Sequence, residues 1–148
     1  GFERYEVSNF CKKGKQSSHF LNFWMRGNYI GLGVAASSCV NNVRMSNTFD
    51  LDEYFKCILS NHFAVVNSEE GDKDGQEEEY IMLALRTSAG IDLAEFASLF
   101  GSDFTKKYAE ALQKTRGYIE VRDGFVKIKD EFLFVQNSII VEYLRLRG

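Results

Sequence analysis

The chain has 148 residues, of which 45% are hydrophobic and 14% aromatic, so it is long and apolar enough to bury an ordinary core. No apolar run approaches the roughly 20 residues that cross a bilayer, and the first residues lack the basic start and apolar stretch of a signal peptide. Composition therefore argues against a disordered chain and predicts a soluble protein of the cytoplasm.

The net charge of −3 is unevenly distributed. Residues 68–79 carry seven acids and a single lysine, which leaves the rest of the chain mildly basic. So small a basic excess does not argue for a nucleic-acid partner.

Three extended segments are predicted in the first third of the chain. Residues 4–8 alternate in polarity and are rich in Tyr and Val, which predicts a short strand. After a polar loop over residues 12–18, residues 29–33 are predicted to form a buried strand whose glycines indicate close approach to another strand or to a ligand. Residues 43–47 add a third short extended piece.

The first long helix is predicted over residues 51–59. Asp50 can cap it, and Asp52 and Glu53 lie in its first turn, where the helix dipole favours acids. The acidic, glycine-containing residues 68–76 are then predicted to be a boundary loop, because composition changes sharply on their far side.

The second half is predicted to contain three helices, a hairpin and a last helix. The three helices run from Glu77 to Gly90, from a cap at Asp92 to about Phe100, and from a cap at Ser102 or Asp103 to about Thr115. A hairpin over residues 118–128 turns at Asp123-Gly124, which readily takes positive φ. A last helix follows over residues 130–146, and this order is that of a winged-helix domain.

The last helix carries more apolar side chains than one buried stripe requires. Part of it must therefore be covered by something outside the winged helix. The candidates are the N-terminal strands, a further domain, or a second copy of the chain in a homodimer.

Two groups of motifs, in order along the chain, carry a resemblance to a known family. In the first half, residues 5–10 with Gly14, residues 19–24 and residues 29–38 are similar to Y-E-[IV]-S-N-[FY]-A-x-P-G, H-N-x-x-Y-W and Y-x-G-[IL]-G-x-x-A-x-S. On these motifs the chain resembles the end of the catalytic barrel in the oxygen-independent coproporphyrinogen III oxidase family of radical SAM proteins. The heme-chaperone branch is a better match than the true oxidases.

The second half extends the resemblance to nearly the whole chain. Residues 79–87 followed by Gly90-Ile91-Asp92 are similar to the family's E-[FY]-x-M-L-x-L-R-x-x-x-G-[IV]-D, and Asn137 fits its N-x-[IV] position. The resemblance implies an α+β fold in which terminal strands of a partial (β/α) barrel precede a mostly helical, winged-helix-like C-terminal domain. The expected divisions are a barrel end over residues 1–48, a helix and acidic linker over 49–76, and the winged-helix-like domain over 77–148.

Departures from the family pattern bear on chemistry. Lys13 replaces a proline, Phe20 an asparagine and Ser37 a frequent histidine. The C-x-x-x-C-x-x-C run that ligates the four-iron, four-sulfur cluster is absent, and Cys11, Cys39 and Cys57 are too widely spaced to replace it or to form a C-x-x-C metal site. Their odd number does not fit a disulfide framework, so reduced structural thiols are expected. This chain alone should neither bind the cluster nor cleave S-adenosylmethionine.

The glycine motif is the main candidate for cofactor contact. Gly31-Leu32-Gly33 lacks the third glycine and the βαβ setting of a dinucleotide fingerprint. In the family this strand end lies beside S-adenosylmethionine, so the resemblance implies that Gly31, Gly33, Ala36 and Ser37 are part of that wall. Close packing of a barrel strand is the alternative.

Other candidate residues are weaker. Glu6, Ser8 and Asn9 lie at a predicted strand end, where barrel proteins place working residues, but structural hydrogen bonding is equally compatible with them. His19 has no partner pattern for catalysis; it is a candidate heme ligand through the resemblance, with a structural histidine as the alternative. Nothing supports His62 as a ligand.

Four basic residues lie on the predicted recognition helix and just after its C-terminal end: Lys106, Lys107, Lys114 and Arg116. In a DNA-binding winged helix they would contact phosphates. Asp103 and Glu110 dilute this patch, so a solvated face is the preferred interpretation.

The resemblance also implies a function for a larger parent protein. That parent would be a radical SAM protein of heme biosynthesis or heme delivery, using a 4Fe-4S cluster, S-adenosylmethionine and, in the chaperone branch, heme. The oxidases attack propionate side chains of the porphyrin, whereas the chaperones bind and hand on heme. The expected partners are the rest of the barrel and the porphyrin or heme, and a winged-helix nucleic-acid or protein binding module is the alternative function.

Overall fold

A computed structural model describes residues 1–144. In chain order the elements are β1 (Glu3–Arg4), β2 (Phe10–Cys11), α1 (Ser18–Trp24), β3 (Ser37–Val40), β4 (Val43–Asn47), α2 (Leu51–Leu59), β5 (Val65–Glu70), α3 (Lys73–Ala84), β6 (Ile91–Asp92), α4 (Leu93–Phe100), α5 (Phe104–Lys107), α6 (Ala109–Thr115), β7 (Ile119–Arg122), β8 (Phe125–Ile128), a 3₁₀ helix (Asp130–Val135) and α7 (Gln136–Leu144). The mixture of helix and sheet agrees with the predicted α+β class. Within this part of the chain, no helix is long and apolar enough to cross a membrane.

The chain divides into two compact units. The larger unit is discontinuous: it combines residues 1–25 with the chain from Lys73 onward. The smaller unit is residues 26–72.

Helix α4 organises the larger unit, and its ends follow from its sequence. The Asp92 side chain accepts hydrogen bonds from the backbone N–H groups of Ala94 and Glu95, which satisfies two donors that a helix start leaves open. Gly101 ends the helix with φ +70°, a conformation that glycine adopts without steric cost. The predicted cap and the predicted stop are both confirmed.

The core of the larger unit is built on aromatic rings. Phe96 is fully buried, and its ring contacts those of Tyr80, Phe100, Phe104 and Tyr108 at centroid distances of 4.9–6.2 Å. Edge-to-face and offset contacts in this range add stability beyond the area that they bury. The aliphatic members of the same cluster come from α3 and the residue after it, from α6 and α7, and from the sheet: Ile81, Ala84, Leu85, Ile91, Ala111, Ile119, Val126, Ile128, Ile139 and Ile140.

The predicted hairpin is confirmed as β7 and β8. Its turn residues, Asp123 and Gly124, both have positive φ, at 52° and 83°, as a two-residue turn between twisted strands requires. β8 also pairs with the short strand β6, so the sheet has the order β6-β8-β7.

The N-terminal segment is attached to the second half of the chain by backbone pairing. The Ser88 backbone N–H donates to the Tyr5 carbonyl at 3.1 Å, and the Ser88 hydroxyl donates to the same oxygen at 3.3 Å. Glu6 forms an isolated antiparallel bridge with Thr87 and is only 1% exposed. The predicted strand over residues 4–8 is therefore wrong in extent: β1 is two residues long, and the chain then pairs with a distant turn instead of a long neighbouring strand.

Helix α1 was not predicted. Ser17, assigned from the sequence to a polar loop, caps it by accepting from the Phe20 backbone N–H at 3.4 Å. The helix is only seven residues long and has no buried residue, so its sequence lacks the apolar stripe that identifies a longer helix.

The smaller unit is an antiparallel sheet of order β3-β4-β5 with helix α2. Asp50 caps α2 by accepting from the Glu53 backbone N–H at 2.8 Å, so both the cap and the bounds of this helix are confirmed. β4 confirms the extended piece at residues 43–47.

Two predictions for the smaller unit are wrong. Residues 29–33 do not form a buried strand: Tyr29 makes one bridge to Cys39, and then Ile30 and Leu32 are 74% and 89% exposed. The acidic residues 68–76 do not form a loop either, because residues 68–70 complete β5 and α3 begins at Lys73. Glu69 lies opposite Arg44 in the register, a cross-strand arrangement that favours opposite charges.

The predicted helices of the second half differ from the observed ones at their ends. The first runs over Lys73–Ala84, the third is interrupted at Tyr108 into α5 and α6, and the last begins as the 3₁₀ helix before α7. The predicted end of the last helix, at residue 146, lies outside the described residues. Most of its apolar side chains pack within the larger unit, although Phe134 is 84% exposed. The homodimer through this helix stays a prediction.

Replacing Phe96 by Ala should destabilise the chain by about 3–5 kcal/mol, because the cavity left among four rings cannot close fully. Leu99→Ala on the same helix is the matched control, since Leu99 is half-exposed and should cost about 0.5 kcal/mol. Urea unfolding followed by circular dichroism measures both. Equal losses for the two variants would contradict the placement of the core.

Candidate functional site

The glycine motif forms a tight loop in the smaller unit, between the Tyr29 bridge and β3. The Gly31 backbone N–H donates to the Ser38 hydroxyl at 3.0 Å, and the Asn47 side chain donates to the Gly33 carbonyl at 2.8 Å. Gly33 has φ +111°, which disfavours any side chain there. The loop is therefore fixed by side-chain contacts to its backbone and does not belong to a regular strand.

The four predicted wall residues lie together in this loop. Gly31 packs so closely that an added Cβ would collide with the Ser37 carbonyl oxygen, whereas a Cβ at Gly33 would meet nothing within 4 Å. Ala36 leads into β3, and Ser37 is the exposed first residue of that strand. Close backbone packing thus accounts for Gly31, while Gly33 and Ser37 border open space.

His19 lies in the larger unit, on the exposed surface of α1. Its imidazole packs edge-on against Phe23 at 4.9 Å and Phe20 at 5.8 Å between ring centroids. Phe20 is itself about half-exposed, so an apolar ring lies beside an accessible imidazole. His62 is also exposed, in the smaller unit just after α2.

The predicted strand-end residues have structural contacts. The Tyr5 backbone N–H donates to the Asn9 carbonyl at 3.2 Å, which closes the turn between β1 and β2. The Ser8 hydroxyl lies 3.5 Å from a carboxylate oxygen of the buried Glu6. Glu6, Ser8 and Asn9 thus shape the N-terminal segment, in line with the structural alternative.

The basic residues of the second half are mostly paired with acids. Lys107 contacts Glu77 at 2.7 Å, Lys114 contacts Glu110 at 2.8 Å, and Lys106 lies 4.0 Å from Asp103. These pairs leave little unbalanced positive charge for phosphate contact, which agrees with a solvated face.

The thiols do not assemble a metal site. Cys11 is buried in the larger unit, while Cys39 and Cys57 belong to the smaller unit, and all three are free. Within residues 1–144, no three His, Cys, Asp or Glu side chains gather as metal ligands. The donor set of this part of the chain does not fit a four-iron, four-sulfur cluster, which needs several close thiolates.

Sequence reasoning missed two polar contacts in the larger unit. The buried Glu77 accepts from the Tyr108 hydroxyl at 2.6 Å as well as from Lys107, and the Tyr80 hydroxyl donates to Glu95 at 2.8 Å. Glu77 stands in a run of three glutamates, so nothing in the sequence distinguished the buried one. Tyr80 and Glu95 are 15 residues apart on different helices, a pairing that only the fold creates.

Comparison with known proteins agrees with this architecture. Residues 72–136 match the family model described as the HemN C-terminal domain. The heme chaperone HemW of Bacillus subtilis is 27% identical over 97% of this chain, and HemW of Lactococcus lactis is 32% identical over 76% of it. The chain spans only 38% and 29% of the lengths of these two relatives.

A solved structure shows the same fold. It is the Escherichia coli coproporphyrinogen III oxidase HemN, described as a radical SAM enzyme, which superposes with a TM-score of 0.65 over 95% of this chain and 31% of its own. The identity of 14% makes this a likeness of fold alone.

These findings confirm the resemblance seen in the sequence. The class is that of proteins with a HemN C-terminal domain. The chain corresponds to a C-terminal portion of HemN-like proteins, and the curated relatives that it resembles are heme chaperones.

Proposed function

We propose that the chain works as the C-terminal part of a heme-chaperone-type radical SAM protein, with residues 1–48 as the end of its barrel. The observation that carries the proposal is the 27% identity to the Bacillus subtilis heme chaperone over 97% of the chain, which includes the glycine loop and the C-terminal helices alike. The cluster would be held by a preceding part of the parent, since the donor set here does not fit it. That cluster and S-adenosylmethionine would supply the redox chemistry of the parent.

The second proposed division is residues 49–76, which hold α2, β5 and the start of α3, and the third is a winged-helix-like domain over residues 77–148. Helices α3 to α6 precede the hairpin in this region, and β6, which lies between α3 and α4 in the chain, pairs with the hairpin strand β8. The paired lysines favour a role in covering the barrel and its substrate over a role in DNA binding.

The proposed role of the glycine loop is to form one wall against S-adenosylmethionine. Small residues let a ligand approach the backbone closely, and Gly33 and Ser37 face space that larger side chains would fill. The hydrogen bonds from Asn47 and to Ser38 fix the wall before any ligand arrives, which reduces the ordering cost of binding.

The proposed heme contact of this part is His19. An exposed imidazole can serve as an axial ligand, and the adjacent, half-exposed Phe20 ring would cover part of an apolar porphyrin face. The edge-on packing of Phe23 against the imidazole, at 4.9 Å between ring centroids, would orient the ring.

A chimera tests the wall. We expect that the Bacillus subtilis heme chaperone, with its matching C-terminal part replaced by this chain, binds S-adenosylmethionine, measured by calorimetry on the cluster-loaded protein. Ser37→Trp in the chimera should then weaken that binding by about tenfold or more, because the indole fills the wall, a loss of about 1.4 kcal/mol. Ser68→Trp, on an exposed position of β5 in the same sheet, is the matched control.

Two outcomes would count against the proposal. One is a folded, cluster-loaded chimera that does not bind S-adenosylmethionine. The other is equal binding by the Ser37→Trp and Ser68→Trp chimeras.

The two histidines allow a direct test of heme ligation, because the chain contains only two. Heme titration of this chain should shift the Soret band. His19→Ala should weaken the shift, while His62→Ala, at the other exposed histidine, should leave it unchanged. A wild-type spectrum identical to free heme, or equal effects of the two substitutions, would remove His19 as a ligand.

A further inference from the structure

A cavity of about 360 Å³ lies within the larger unit, where the N-terminal segment meets the C-terminal elements. Its lining comes from the Tyr5 region, the end of α1, helices α3 and α4, the turn at residues 87–90, and β8. Pockets of this size hold small organic molecules in many proteins. None of the residues assigned above to the glycine wall or to heme contact lines it.

Aromatic and aliphatic side chains form most of the cavity wall. Tyr5, Trp24, Tyr80 and Phe125 contribute rings, while Leu21 and Ala84 add aliphatic surface. The faces of such rings carry negative electrostatic potential and attract cations, most strongly for Trp.

The charged groups in this wall are all acidic. Among the described lining residues the titratable carboxylates are Asp92 and Glu95, and no Lys, Arg or His is present. Asp92 is engaged as the cap of α4, so Glu95 is the carboxylate that can respond to a ligand. The wall therefore repels anions, including the propionates of a porphyrin, and favours positive charge.

Tyr80 keeps the Glu95 carboxylate in place. Its hydroxyl donates to Glu95 at 2.8 Å, and burial, followed by the neighbouring carboxylate, raises the pKa of Tyr80, so the phenol stays protonated at neutral pH. One hydrogen bond leaves a carboxylate with further acceptor positions, to which an ammonium group can donate.

The indole of Trp24 adds a second feature. Its Nε1–H is buried without a hydrogen-bond partner among residues 1–144, and an unpaired buried donor carries a desolvation cost. An ammonium group cannot accept from this N–H, so Trp24 serves the cavity through its ring surface and as a reporter of what binds there.

We propose that this cavity binds a small organic cation: an apolar or aromatic body against Trp24 and Phe125, and an ammonium head paired with Glu95. The combination of ring faces and a carboxylate is how proteins recognise organic ammonium groups. The site is separate from the proposed wall and from His19, so its test does not depend on the proposed function.

The test uses three probes that share one body and differ in charge: 4-phenylbutylamine, 4-phenylbutanol and 4-phenylbutyrate. Trp24 is the only tryptophan of the chain, so its fluorescence and its single indole N–H resonance both report on the cavity. We expect the amine to bind at least about tenfold more tightly than the alcohol, and the carboxylate to bind most weakly.

Glu95→Gln should abolish the preference for the amine over the alcohol while both still bind, because the amide can still accept from Tyr80 but lacks the charge. Glu110→Gln is the matched control: Glu110 is exposed in the same unit and does not line the cavity, so the preference should persist. Circular dichroism checks that both variants fold.

Three results would overturn the proposal. They are no response of Trp24 to any probe, equal or stronger binding of the carboxylate, and an amine preference that Glu95→Gln leaves unchanged.

Discussion

The pairing of Tyr5 and Glu6 with Thr87 and Ser88 is the constraint on which the larger unit depends. Two hydrogen bonds from Ser88 to the Tyr5 carbonyl and a buried backbone bridge join segments about 80 positions apart. Each such bond contributes only about 0.5–1.5 kcal/mol net, but leaving buried backbone groups unpaired would cost more. The contact therefore selects one position for the N-terminal segment.

The turn that receives this segment is itself tightly built. The Thr87 hydroxyl donates to the Ala84 carbonyl at 2.9 Å and accepts from the Gly90 backbone N–H at 3.2 Å. Gly90 has φ +76°, and an added Cβ would collide with the Val126 carbonyl oxygen. Because the turn is fixed by the end of α3 and by β8, the N-terminal segment packs on a surface that the aromatic core holds rigid.

This arrangement explains why the N-terminal residues 1–25 form one compact unit with the second half of the chain. A motif from the end of the predicted barrel and a motif from the HemN C-terminal domain meet at the same place, since Tyr5 opens the first motif and Thr87 lies within the second. The contact between these two segments also borders the cavity beside Trp24. The N-terminal segment continues from there into α1, which contains His19. The N-terminal segment is therefore part of the same compact unit as the matched HemN C-terminal domain.

Helix caps and tight turns can be predicted from the sequence because residues close to one another in the chain decide them. Asp50, Asp92 and the Asp123-Gly124 turn act within a few residues of themselves, and all three were found as predicted. Signals that depend on distant partners failed. Residues 29–33 have the pattern of a buried strand, but the positive φ of Gly33 turns the chain. The acidic residues 68–70 belong to a strand because they pair with the distant β4, where Arg44 lies opposite Glu69.

The candidate site divides in the same way. The four residues of the proposed glycine wall come from the family resemblance, and they lie together in the structure because the loop is local. The Tyr80–Glu95 contact and the buried Glu77 could not, since each depends on helices brought together by the core around Phe96. Glu77 is buried and Glu95 is exposed, and neither state can be read from the neighbouring residues in the sequence.

We expect residues 1–25 to fold as part of one cooperative unit with the C-terminal helices. The direct measurement is urea unfolding followed at Trp24, by fluorescence, and at the buried Ile81 and Ile140, by NMR peak intensities. Coincident transitions at different probes are the mark of one cooperative unit. The account predicts a single shared midpoint; loss of the Trp24 signal at a clearly lower urea concentration than the core signals would contradict it.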